Sequence, residues 1–118
     1  MPINLKRVYE EPAESDGYRI LVDRLWPRGL AKEDIELDEW LKQIAPSDRL
    51  RKAFHNDVIT WGEFRNRYLA DLEQHRDELR RLVEIAQKGR LTLVFGARDS
   101  EHNNAVVVKQ YLQMLGAG

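Results

Sequence analysis

Two stretches of the chain gather side chains that an ordinary α/β core does not require. One is Asp23-Arg24-Leu25-Trp26-Pro27-Arg28-Gly29, and the other is Arg98-Asp99-Ser100-Glu101-His102-Asn103-Asn104. Arg24, Arg28 and Arg98 carry forked N–H donors that match the oxygens of a carboxylate or phosphate. His102 follows Asp99 by three residues, a spacing that lets a carboxylate orient an imidazole for proton transfer. Asp23 reads either as a partner locking Arg24 at a strand end or as a second acid or base. Trp26 would form an aromatic wall, and Asn103 a polar ligand or, like Asn104, the cap of a following helix. The candidate catalytic set is therefore His102, Asp99 and Asp23. The candidate substrate-binding set is Arg24, Trp26, Arg28, Arg98 and Asn103.

Other chemistries lack their residues. The chain has no cysteine, which removes thiol nucleophiles, disulfides and thiolate metal sites and fits a reducing compartment. No G-x-S-x-G, G-x-G-x-x-G or P-loop pattern occurs. His55, His75 and His102 form neither an i, i+4 pair nor an HExxH motif, so neither metal nor cofactor is expected. His55 should end a helix, where an imidazolium suits the dipole, and His75 should be exposed.

The elements that must position these residues follow from periodicity. Ile3 to Tyr9 alternates loosely and reads as an edge strand, and Arg19 to Trp26 as a second strand ended by Pro27 and Gly29. Leu37, Trp40, Leu41 and Ile44 suggest one face of a short helix. Ser47 caps the next helix, which buries Leu50, Ala53 and Phe54. Thr60 and Glu63 make a capping box ahead of a periodic stretch running to Lys88. Those 28 residues would form a rod of about 42 Å, so a break is expected near Gln74 to Arg76, with Gly89 as the C-cap. Leu91 to Phe95 is apolar on both faces, as an interior parallel strand is. Ala105, Val108, Leu112 and Leu115 mark a last helix.

The pattern predicts one α/β domain over residues 1–118: a small, mainly parallel sheet of about three strands, flanked by helices. If strands two and three are parallel neighbours, the two polar stretches meet at the carboxyl edge of the sheet. Open α/β sheets bind ligands at that edge. The second stretch also opens a helix, whose N-terminus favours an anion.

Composition agrees with a compact domain. The chain has 118 residues, 42% hydrophobic and 33% charged, with 19 Lys+Arg against 20 Asp+Glu. A net charge of −1 argues against nucleic-acid binding by bulk electrostatics. No apolar run nears the ~20 residues that cross a bilayer, and no signal-peptide core is visible at the N-terminus. A cytoplasmic location, with no membrane partner, is the expectation. Oligomeric state is left open by the aromatic-rich helices.

The motif Val22 to Gly29 also resembles the YeaO-like branch of a bacterial domain-of-unknown-function family, DUF488. Trp40-Leu41-Lys42, Ala45-Pro46-Ser47, Leu50-Arg51, Phe54-His55, Trp61, Phe64 and Tyr68 continue the likeness. So do Thr92 to Asp99, His102-Asn103 and Ala105. The resemblance implies a parallel α/β domain with an acidic–basic motif ending one strand. The wider family's Cys-His-Arg segment reads Glu101-His102-Asn103 here, so only His102 carries over. Ala53 stands where the branch usually has Trp, Gly96 where it has Ala, and Arg98 where it has Lys. The resemblance brings no established reaction. The leading expectation is a small enzyme acting on a small anionic substrate. The alternative is a non-catalytic domain that senses a ligand or binds an anionic partner. A third is nucleic-acid binding through a local arginine patch.

Overall fold

The computed structural model describes residues 3–117. Four strands, β1 (Ile3–Arg7), β2 (Tyr18–Leu21), β3 (Glu39–Trp40) and β4 (Leu91–Phe95), form one sheet in the order β1-β4-β2-β3. Every pairing is parallel: Ile3 to Arg7 run beside Leu91 to Phe95, Tyr18 to Leu21 beside Leu91 to Val94, and Ile20-Leu21 beside Glu39-Trp40. The wholly buried β4 takes a central position, where both its faces and both its edges are covered. The more polar β1 takes an edge.

Two expectations change. The sheet has four strands rather than about three, because Glu39-Trp40 pairs with β2 instead of coiling. The Asp38 and Leu41 N–H groups donate to the Arg19 and Leu21 carbonyls across 2.9 Å, and only Lys42–Ile44 form a 3-10 turn. Spacings of three, one and three fit both periods over so few residues, and the free edge of β2 decides between them. β2 is also shorter than Arg19 to Trp26. Its last ladder bond runs from the Val22 N–H to Val94 O, 3.1 Å, and the chain then bends at Arg24-Leu25. That bend is what aims the site residues.

The helices are α1 (Lys32–Ile35), α2 (Asp48–His55), α3 (Trp61–Leu72), α4 (Arg76–Lys88) and α5 (Asn104–Leu112). Ser47, Thr60 and Asn103 each cap a helix by accepting from a backbone N–H three residues on, at 3.1, 3.1 and 3.0 Å. The expected break is a 3-10 turn at Glu73–His75, and His75 there is half-buried rather than exposed. Among the described residues no helix is long and apolar enough to cross a membrane.

Alternate strand residues feed two layers. Ile3, Ile20, Val22, Leu91, Leu93 and Phe95 pack with Leu50 of α2, Tyr68 and Leu72 of α3, Leu79, Leu82 and Ala86 of α4, and Val107, Val108 and Leu112 of α5. Val8, Leu21 and Val94 face the other way, onto Ile35 of α1 and the partly buried Trp26, Leu30, Leu37 and Trp40. One face carries the long helices and the other a thin cover of loops. The carboxyl ends of β2 and β4 open between α2 and α5.

Candidate functional site

A cleft of about 730 Å³ lies there, lined by the start of the 23–29 stretch, α2 and the loop from Gly96 to Asn104. Asp23 forms part of its floor. Asp23 Oδ2 accepts from the Gly96 N–H at 2.8 Å and Oδ1 from the Asn104 amide at 3.0 Å. The same amide reaches Val22 O at 2.9 Å, so Asn104 fastens the start of α5 to the end of β2. Burial raises the Asp23 carboxyl above its ordinary value. The Asn104 and Gly96 bonds and the charge of Arg51 offset only part of that rise. A Cβ on Gly96 would sit 3.0 Å from Asp23 Oδ2, so glycine lets the carboxylate close on the loop amide.

The bend after Asp23 sends neighbouring side chains in different directions. Arg24 Nε donates to Pro46 O at 3.1 Å and lines the cleft. The Asp23 carbonyl is held by the Trp40 indole at 2.7 Å. Trp26 turns into the smaller core. Its indole N–H donates to Leu30 O at 2.7 Å and its ring meets Trp40 edge-on, with centroids 5.3 Å apart. Trp26 therefore does not wall the cleft. Arg28 is exposed in the turn beyond, where its carbonyl accepts from the Tyr9 hydroxyl, and it does not line the cleft either. Pro27 ends the extended run before Arg28, and Gly29, at a positive φ of +78°, completes the turn that holds Arg28 outside the cleft.

The loop after β4 organises itself. Asp99 Oδ1 accepts from the N–H groups of Glu101 and His102 at 2.9 and 3.0 Å, and Oδ2 lies 2.9 Å from His102 Nδ1. The Glu101 N–H, with the His102 contacts, holds the Asp99 carboxyl below its ordinary value. The His102 ring meets Trp61 edge-on at 5.1 Å. Asn103 is buried, and both ends of its amide are bonded: its Nδ2 donates to Asp99 O at 2.8 Å and its Oδ1 caps α5. Asn103 therefore lines the cleft as a cap. Asp23, Arg24, Arg98, Asp99, His102 and Asn103 do share one cleft.

Sequence reasoning passed over Arg51. It stands on α2 at the cleft, and its sole ion pair among the described residues is a 3.4 Å contact with Asp48. Arg24 Nε lies 4.0 Å from the same carboxylate. Arg51 Nε is the one buried side-chain polar atom without a partner among the described residues. Three residues separate it from both Asp48 and Phe54, so helical spacing could have placed it on that face. Arg98 makes no ion pair among the described residues, and these form no cluster of His, Asp or Glu fit to hold a metal.

Comparison with known proteins adds kinship. The model of a family described as the inactive DUF488-N3 subclade matches residues 2–116. The uncharacterised protein YeaO of Escherichia coli is 53% identical over 115 residues, which cover 98% of this chain and all of that protein. Uncharacterised proteins of Mycobacterium bovis and Mycobacterium tuberculosis are each 34% identical over 110 residues, covering 93% of this chain and 92% of theirs. No solved structure matches.

Proposed function

The chain belongs to the DUF488 family, in the subclade described as inactive, and from that premise we propose a non-catalytic domain that holds a small phosphate- or carboxylate-bearing ligand in this cleft. The observation that carries the reading is how few of the donors on its arginines are paired. Arg24 and Arg51 share the one carboxylate of Asp48, and Arg98 has none among the described residues. Of the three carboxylates that line the cleft, two are already occupied, and the third, Asp57, is exposed in the turn after α2. Asp23 accepts from Gly96 and Asn104, and Asp99 from its own loop and His102. Guanidiniums with spare donors around a concave site are suited to an oxyanion. Glu101, exposed where the wider family resemblance expects a cysteine, supports binding without nucleophilic catalysis.

A catalytic reading has one observation in its favour, the 2.9 Å contact between His102 Nδ1 and Asp99, which orients the imidazole as a general acid or base requires. Titration with inorganic phosphate separates the two. Binding by the wild type that weakens at least tenfold in Arg24→Ala supports the anion site, and no saturable binding contradicts it. Turnover of a phosphate ester that disappears in His102→Ala, with phosphate binding retained, would establish the catalytic reading instead. A net charge of −1 sets nucleic acid behind both, and a cytoplasmic location is part of this same reading.

A further inference from the structure

The cleft is larger than an inorganic oxyanion needs. A bare phosphate would fill a small part of 730 Å³, a volume within the range of sites for whole small molecules. Much of what lines the remaining space is apolar and flat, beside the exposed His55 and Asp57. Phe54 stacks on Phe64 with centroids 4.8 Å apart, Trp61 closes on both at 5.6 and 5.7 Å, and the His102 ring abuts Trp61. Phe54 and Phe64 reach the cleft beside Pro46. Leu25 stands at the same cleft with 59% of its surface exposed. The other large apolar side chains exposed among the described residues, Tyr9, Val58 and Met114, are not part of the cleft. Arg51 and Phe54 lie three residues apart on α2, hence side by side on one helix face.

Building on the anion-site reading, we propose that the ligand is an aromatic oxyanion, a flat ring bearing a phosphate or carboxylate. The charged group meets Arg24 and Arg51, and the ring lies between Phe54 and Leu25. An oxyanion joined directly to a six-membered ring spans the short distance between neighbouring side chains on one helix face. Ring faces also pack on one another in offset or edge-on arrangements such as this cluster already uses.

Four probes test it by isothermal titration: inorganic phosphate, phenyl phosphate, benzoate and benzyl alcohol. The expected result is that phenyl phosphate or benzoate binds at least tenfold tighter than inorganic phosphate, while benzyl alcohol binds more weakly than either. In Phe54→Leu, which keeps an apolar side chain in the core, and in Leu25→Ser, at an exposed position, that tenfold preference should shrink toward unity. The aromatic ligand is overturned if phosphate binds and the ring adds nothing, or if the preference survives both variants. Benzyl alcohol matching the aromatic anions would overturn the role of the arginines. Failure of all four probes would overturn the anion-site reading itself, a result distinct from phosphate binding without a ring preference.

Discussion

Two arginine–aspartate groups sit on opposite sides of the same strand, β2, and they are built to opposite ends. At its start, Arg19 is spent completely. Its Nη1 meets Asp16 at 2.5 Å, Nη2 donates to Ile35 O at 2.8 Å and Nε to Glu36 O at 3.1 Å. Asp16 also accepts from Lys6 and from the Ala13 N–H, and its carbonyl takes the Thr92 hydroxyl at 2.6 Å. The side chains are 4% and 9% exposed. Beyond the end of β2, Arg24 and Arg51 share one carboxylate at 4.0 and 3.4 Å and remain 37% and 39% exposed. The first group has nothing left to offer a ligand and holds α1 and the loop before β2 onto the sheet. The second keeps donors in reserve at a concave surface. Pairing, rather than residue type, separates a structural lock from the proposed anion site.

The sharpest way to break this contrast is to replace each arginine by an unbranched apolar side chain. Arg19→Met leaves Asp16 with only Lys6 and the Ala13 N–H and removes the partner of two carbonyls, and should cost about 2–4 kcal/mol of unfolding free energy. Arg51→Met removes a guanidinium whose Nε has no partner, and should change stability by less than about 1 kcal/mol while abolishing sulfate binding. Urea denaturation of the two variants gives the comparison. Equal losses would make Arg51 a second lock.

Next in size is a gain of function. Asp48 is the carboxylate that competes for Arg24 and Arg51, so Asp48→Asn should tighten sulfate binding by about fivefold, the worth of one charge some 4 Å away in water. Loss of an acid from the first turn of α2 should lower stability slightly, by about 0.3–1 kcal/mol. Titration calorimetry and thermal melting read the two effects.

Acid titration sharpens the contrast through opposite signs. Burial pushes the Asp16 carboxyl up, but the bonds from Ala13, Lys6 and Arg19 outweigh it and leave the carboxyl below its ordinary value. Its stabilisation is complete above the unfolded value of about 4 and is lost as pH falls through the lower folded value. Asp23 is raised, so its ionised form opposes folding, and that opposition is relieved as pH falls through its folded value. Stability curves from neutral pH downward should therefore diverge. Asp16→Asn flattens the acid loss, whereas Asp23→Asn removes a gain that begins above pH 4. The smallest expected effect is Arg28→Ala, which should leave sulfate affinity unchanged and stability within about 0.5 kcal/mol, because Arg28 faces away from the cleft.

How much of this was legible depended on distance along the chain. β4, the caps Ser47, Thr60 and Asn103, and the break near His75 are local patterns, and residue type and period disclosed them. The parallel pairing of β2 with β4 brings the two polar stretches together at the carboxyl edge of the sheet, as expected for parallel neighbours. Trp26 lies off the cleft because the strand stops at Leu21 and a bend takes over, and Arg28 because the turn after Trp26 carries it beyond the cleft. Arg51 was passed over because a helical arginine looks solvated until the sheet behind it is known. The Asp16–Arg19 lock was invisible because its partners come from α1, β1 and β4.

The central claim is that the arginines at the carboxyl edge are receptive while Arg19 is committed. Arginine Nε–Hε resonances followed by NMR during a sulfate titration test it most directly. Saturable shifts at Arg24 and Arg51, with Arg19 unmoved, are the expected result. Uniform, non-saturating drift of all three would contradict it.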